Sequence, residues 1–369
     1  MNSNFNNIEA LSKFGLNVEQ TRILFSLQYL LVSKDISVDE KTSSLKTAWL
    51  CDWKKSVEAY LGMIDDESRQ LYTDYDELNE AIVEEISNNT TNVTWYYIVI
   101  LESTVFTPYT PLTGSYSDSD LYKRDYNRRY TKLKYKNNLE QLEKIVRDQG
   151  VISEKYIKTF DKQYRKTLEK ISGKKLKVLL KGITVLAVVG IATALTAIFA
   201  GPIAVMIFGS QFSGLSGAAL VSACLAAAGG GAIAVGGAGM TGGIIAIAGG
   251  GALLSMAVSG TAVGSLSLLL SHSPEFALTQ AAKLEVVLRE IVCNAQNDIV
   301  TAQQVLKQFK QQIIELNTEL KTLQLASGNN KDQIENLKKA VSYLEKAYNS
   351  TNEFASCYDI GLKANNEES

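Results

Sequence analysis

Charge is missing from a quarter of this chain. From Gly182 to Pro274, 93 residues pass without an Asp, Glu, Lys or Arg, and 19 of the 26 glycines lie there. A domain folded in water needs charge on its outer faces, so a stretch of this length has to be hidden by protein or by lipid. Histidine is nearly missing too. His272 is the single one, at the edge of the charge-free block, which excludes a multi-histidine metal site within one chain and argues against a Ser-His-Asp triad. Cysteine is scarce: Cys51, Cys224, Cys293 and Cys357 are widely spaced, with no C-x-x-C pair, the usage of a reducing compartment. Met1 to Ala10 is polar and Asn-rich, without the basic and apolar regions of a secretory signal. The glycine-rich run carries no G-x-x-x-x-G-K-[ST], so no phosphate cradle is expected. The acids Asp65, Asp66, Glu67, Asp74, Asp76, Glu77, Glu80, Glu84 and Glu85 read as solvated helix faces rather than a cation site. No catalytic residue, cofactor or metal is expected, and the chain does not read as an enzyme.

What is present is sharply segregated. The net charge of −2 over 369 residues conceals four compartments. Residues 1–121 form an acidic N-terminal helical domain with 19 acids against 8 bases, and residues 122–181 a long basic helix with 19 bases against 7 acids. Residues 182–274 are the hydrophobic membrane-inserting block. Residues 275–369, with 13 acids against 10 bases, form a coiled-coil helical hairpin. The expected fold class is all-α: an elongated helical bundle with long coiled-coil helices around a central Gly/Ala-rich block that is transmembrane or insertable.

Periodicity supports the helices. Leu11, Phe14 and Val18, then Ile23, Leu24, Leu27, Leu30 and Leu31, recur at spacings of three and four, as do Trp49, Trp53, Val57, Tyr60 and Leu61. About four helices are expected up to Phe106, with Ser37 suited to a helix N-terminus. Pro108, Pro111 and Thr113 to Asp120 mark a loop. From about Tyr122 the pattern is long and helical, with Gly150 as a bend. After Pro274, apolar residues from Leu284 through Leu288, Ile291, Ala295, Ile299, Ala302, Leu306, Phe309, Ile313, Leu316 and Leu320 to Leu323 alternate fours and threes, with one extra four between Ala295 and Ile299. That is a coiled-coil seam with a single stutter. Ser327 to Asn330 breaks it, and Ile334, Leu337, Val341, Leu344 and Tyr348 resume it as the second arm of an antiparallel hairpin.

Within the block, Ile183 to Phe208 is 26 residues long, more than the roughly 20 that cross a bilayer's hydrocarbon. The expected insertion residues are Ile183, Leu186, Val189, Leu195, Phe199, Ile203, Ile207, Phe208, Ile244, Ile245, Leu253, Leu254, Leu268 and Leu269. Gly239 with Gly243, and Gly260 with Gly264, stand four apart, the spacing at which helix backbones approach closely in lipid. Glycine also suits a segment that is packed in water and later inserted, so both a permanent bundle and a switching one fit the pattern. Arg165, Lys166, Lys170, Lys174, Lys175, Lys177 and Lys181 stand just before the block, opposed there by Glu169 alone. Bases beside a span stay on the cytoplasmic side or bind anionic headgroups, and without interleaved aromatics no nucleic-acid partner is expected.

Residues 122–181, 182–274 and 275–325, a long helix, a hydrophobic head and a second long helix, resemble in layout the α-helical pore-forming toxins of the cytolysin A, haemolysin BL and non-haemolytic enterotoxin kind. That resemblance implies a protein that inserts its head into a bilayer and assembles into a permeabilising complex, as a homo-oligomer or with a related subunit, through the coiled coil; bacterial cell-suicide effectors need the same device. The competing expectation is a membrane-anchored coiled-coil scaffold. Localisation is expected at a membrane with both termini cytoplasmic, or in a soluble form until triggered or released without a signal peptide.

Overall fold

The computed structural model describes residues 16–64, 70–89, 92–109, 130, 132–136, 139–175, 270–271, 274–325 and 331–367. Among these residues the chain is all-α, with no strand. The helices are α1 Val18–Ser37, α2 Ser43–Ile64, α3 Tyr75–Asn88, α4 Thr94–Thr104, α5 Leu139–Gln149, α6 Lys155–Ser172, α7 Pro274–Val286, α8 Ile299–Leu325 and α9 Lys331–Glu367, with a π-helical segment Val287–Ala295 continuing α7. The chain divides into two compact units, and the division falls inside α6, between Asp161 and Lys162.

In the unit built from residues 16–161, α1 packs on α2, α3 and α4, and α4 on α5. Ile23, Leu24, Leu27 and Leu31 of α1 are buried, as are Trp49, Trp53, Val57 and Leu61 of α2, so these positions of the three-and-four spacing lie on the core faces, while Leu30 is only half-buried. The α4 helix is buried all round except at Tyr97, the pattern of a helix enclosed by others. Aromatic rings fill the space between: Trp49 stacks on Trp53 at 6.0 Å, and Phe25 meets Trp53 edge-on at 6.1 Å.

Local chemistry decides where these helices begin. Asn17 caps α1 with a reciprocal box, its Oδ1 accepting from Gln20 N at 2.8 Å while Gln20 Oε1 accepts from Asn17 N at 3.0 Å. Ser37, expected to start a helix, instead ends α1, donating its hydroxyl to Lys34 O at 2.8 Å. Asp39 takes the role, accepting from Lys41 N and Thr42 N, both at 3.0 Å, just ahead of α2. A carboxylate complements the helix dipole more strongly than a hydroxyl does.

The long basic helix over 122–181 is not formed as one rod. Residues 132–136 are non-helical, and α5 and α6 are separate helices. Gly150 ends α5 rather than bending it: its φ is +65°, and its N–H donates to Val146 O at 3.1 Å, a left-handed C-terminal cap. Gly173 ends α6 in the same way, with φ +67° and its N–H on Glu169 O at 2.9 Å. A Cβ at Gly173 would meet nothing within 4 Å, so only the backbone resists a side chain there. Gly173→Ala is expected to cost about 1 kcal/mol, read as a lower urea midpoint with an unchanged slope.

The other unit holds the end of α6, α7, the π segment, α8 and α9. Glu275 lies by Lys339 and Glu285 by Ser350, so α7 runs parallel to α9. Asn317 meets Glu345 and Phe309 meets Tyr348, so α8 returns antiparallel to it. The continuous seam expected from Leu284 to Leu323 is interrupted. The π segment ends at Ala295, Asn297 takes φ +53°, and Asp298 starts α8 by accepting from Thr301 N at 3.0 Å. The extra four residues between Ala295 and Ile299 are a chain reversal, not a stutter. The periodicity survives it because α7, the π segment and α8 all bury their apolar faces on α9. Within the π segment, Val287 with Ile291 and Leu288 with Val292 are buried pairs spaced by four; π winding carries more residues per turn and keeps such pairs on one face.

Candidate functional site

The described helices on either side of the charge-free block, α6 before it and α7 after it, both contact α9. Lys346 of α9 donates its Nζ to Ile171 O, in the last turn of α6, at 3.2 Å. Lys339 of α9 pairs with Glu275, in the first turn of α7, at 2.7 Å. These two lysines are seven residues apart, about 10 Å along a helix axis. The helix that leads into the block and the helix that leaves it are thus tied to α9 within two turns.

One buried acid reinforces this junction. Glu285 of α7 is 2% exposed at the side chain and lies 3.3 Å from Arg289 Nη1. Ser350 of α9 donates its hydroxyl to Glu285 Oε1 at 3.0 Å, and Lys170 of α6 donates to Ser350 Oγ at 2.8 Å. Thr167, also of α6, faces the same carboxyl. Burial raises the carboxyl's pKa above the usual value, outweighing the Ser350 bond and the charges of Arg289 and Lys170. An acid with a raised folded-state pKa favours folding more when protonated, so this unit is expected to gain stability as pH falls through that raised value toward about 4.3. Glu285→Gln is expected to raise the thermal midpoint at pH 7 and to flatten its pH dependence between pH 7 and 4.5; an unchanged pH profile would count against the assignment.

The basic cluster is only partly a single face. Arg165, Lys166, Lys170, Lys174 and Lys175 are all exposed in and just after the last turns of α6, and Lys170 also donates to Ser350. Lys177, Lys181, His272, the insertion residues from Ile183 to Leu269, and Gly239, Gly243, Gly260 and Gly264 lie outside the described residues. No helix among the described residues is long and apolar enough to cross a membrane.

The unit of residues 16–161 contains a second buried polar centre. Lys46 of α2 pairs with Asp35 of α1 at 2.6 Å, both side chains fully buried, and with Asp39 at 2.7 Å. Tyr109 donates its hydroxyl to Asp35 Oδ2, and the backbone N–H of Lys136 donates to Asp35 Oδ1 at 3.1 Å. Tyr109 adopts φ +65° to do so and packs edge-on against Trp49 at 5.3 Å. Burial first, and then the Asp35 bond, push the Tyr109 hydroxyl far above the usual phenol range, so it acts here as a donor and not as an acid.

Among the described residues no three His, Cys, Asp or Glu side chains converge on a metal position. Asp74 caps α3, and Glu85 accepts from the side-chain amides of Asn17, Gln20 and Asn89 through a single oxygen. Asp65, Asp66 and Glu67 lie outside the described residues. Of the free cysteines, Cys51 and Cys357 are exposed, and burial pushes the Cys293 thiol up to about 11, well above the range of reactive thiolates. Periodicity alone missed Glu285, Lys339 and Lys346, along with the Asp35–Lys46 pair. Glu285, Asp35 and Lys46 stand at helical spacing from buried apolar neighbours, a charge where a core residue is expected, whereas Lys339 and Lys346 lie off the apolar seam and carried no such signal. Comparison with known protein families, curated proteins and solved structures finds no match. The described residues define an all-α protein of two units, and its function is argued from its own chemistry.

Proposed function

We propose that this protein acts on a bilayer, that its charge-free block enters the hydrocarbon, and that copies assemble to permeabilise the membrane, as a pore-forming toxin or a bacterial cell-suicide effector would. One observation carries the reading. A block of 93 residues without a charged side chain stands in the sequence between two helices, α6 and α7, that are both tied to α9. Exposed Arg165, Lys166, Lys174 and Lys175 beside its start suit anionic headgroups, each contributing on the order of 1 kcal/mol. The apolar stripe of α8, including Leu306, Phe309, Ile313, Leu316 and Leu320, is buried within the chain, which favours assembly through the inserted block over recruitment by a free coiled coil. Full-length protein added to vesicles loaded with a self-quenched dye is expected to float with them and release the dye. Flotation without release would support the anchored-scaffold alternative, and absence of flotation would remove the bilayer from the account altogether.

A further inference from the structure

A groove runs along the outer side of the α8/α9 pair. Lys307 and Lys310 of α8 face Tyr348 and Asn352 of α9, and Leu306 and Ala355 are among the residues between them, enclosing about 330 Å³. The spacing explains why these side chains converge. Residues 306, 307 and 310 share one face of α8, and 348, 352 and 355 share one face of α9, so the antiparallel pair brings two short rows together.

The charge in this groove runs against its surroundings. Residues 275–369 carry 13 acids and 10 bases, yet the groove collects two ammonium groups and no carboxylate lines it. Two acids on the same helices have other partners: Glu315 accepts from Gln311 at 2.9 Å, and Glu345 from Asn317 at 3.0 Å. Among the described residues neither Lys307 nor Lys310 has a carboxylate partner, although Lys310 is placed by the Tyr348 ring at 5.9 Å. Leu306 and Ala355 are buried and give the groove an apolar floor. The Gln303 and Asn352 amides and the Tyr348 and Ser356 hydroxyls add neutral polar groups at its wall. A set of two cations and four neutral polar residues above an apolar floor matches an anion with several acceptor oxygens and a short apolar body. The volume is at the small end for ligand pockets, about 300 Å³ upward, which suits a headgroup-sized phosphate ester and is too small for a nucleotide with its base.

We propose that the α8/α9 groove binds a phosphate-bearing ligand of headgroup size through Lys307 and Lys310. This site does not depend on the bilayer reading. Its phosphate has two sources, a lipid headgroup or a soluble phosphate ester, which the following arms separate.

Full-length protein is titrated calorimetrically with glycerol 3-phosphate, and in parallel floated on phosphatidylglycerol vesicles with phosphatidylcholine vesicles as reference. Lys307→Gln/Lys310→Gln is compared with Lys321→Gln/Lys338→Gln, which removes equal charge from exposed positions on the same two helices; circular dichroism confirms that helix content is kept in both. The groove pair is expected to weaken binding about thirtyfold, roughly fivefold per ammonium, and the control pair less than about twofold. Loss in both arms assigns a headgroup, and loss in the soluble arm alone assigns a free ester. The proposal is overturned if wild-type protein binds neither probe, or if the control pair loses as much as the groove pair. A protein that binds glycerol 3-phosphate through these lysines but never leaks vesicles keeps the groove and loses the bilayer reading.

Discussion

Replacing Lys46 by methionine is expected to destabilise the unit of residues 16–161 by about 3–5 kcal/mol, because it leaves a fully buried carboxylate without its counter-charge. Asp35 and Lys46 are both at 0% side-chain exposure, so neither can turn to water when the other is lost. Asp35 would retain only the Tyr109 hydroxyl and the Lys136 N–H, two neutral donors. Adding Asp35→Asn to Lys46→Met is expected to recover part of the loss, since an uncharged amide is far cheaper to bury than a carboxylate. All three tryptophans, Trp49, Trp53 and Trp95, belong to this unit, so urea unfolding followed by tryptophan emission reports on it directly. A shift below about 1 kcal/mol, the value of an exposed pair, would sink the claim that this pair organises the core.

The same centre sets a pH window. Hydrogen bonds from Lys46 first, and then from Thr42, hold the Asp39 carboxyl well below the usual carboxylate range. Its stabilisation is therefore present above the unfolded value of about 3.9 and is lost as pH falls through the folded one. Burial pulls the Lys46 ammonium down, but its bonds to Asp35 and Asp39 outweigh this and leave it raised. Its stabilisation is complete below the unfolded value of about 10.4 and is lost as pH rises through the folded one. Stability against pH is expected to form a plateau between these limits in the native protein, with both limbs flattened in Lys46→Met.

Charge placed in the block is expected to have an effect of comparable size on membrane association. Leu195→Lys and Leu254→Lys each put an ammonium where the bilayer reading puts hydrocarbon, at about 2.5–3.5 kcal/mol by insertion scales. That corresponds to a loss of inserted protein of about a hundredfold per substitution, measured by vesicle flotation and dye release. Ile314→Lys, at an α8 position that is 50% exposed, is the matched control and should leave both readouts near wild type. Unchanged flotation and leakage in both block variants would mean that this segment does not enter acyl chains.

The helices of the first unit were legible because their apolar residues recur at helical spacing and that face is the one they bury. Where the reading went astray, a short-range signal had been outweighed by the periodic one. Asn297 and Asp298, with Thr301 three residues on, form a turn and cap, but the apolar spacing on both sides made the seam look unbroken. Gly150 reads as a bend in the sequence because a glycine's conformation is not written in its neighbours. The junction of α6 and α7 with α9 was illegible for another reason: Lys170 and Ser350 are 180 residues apart, and nothing local links them.

By itself the sequence determined that this protein is helical, that its charges are sorted into compartments, and that a quarter of it carries none, since these follow from residue type and spacing alone. Only the tertiary structure decided where the helices stop, which charges are buried in pairs, and that α9 contacts both helices flanking the block. Those outcomes depend on which faces meet across long stretches of chain, where desolvation and hydrogen bonding, not local propensity, set the free energy.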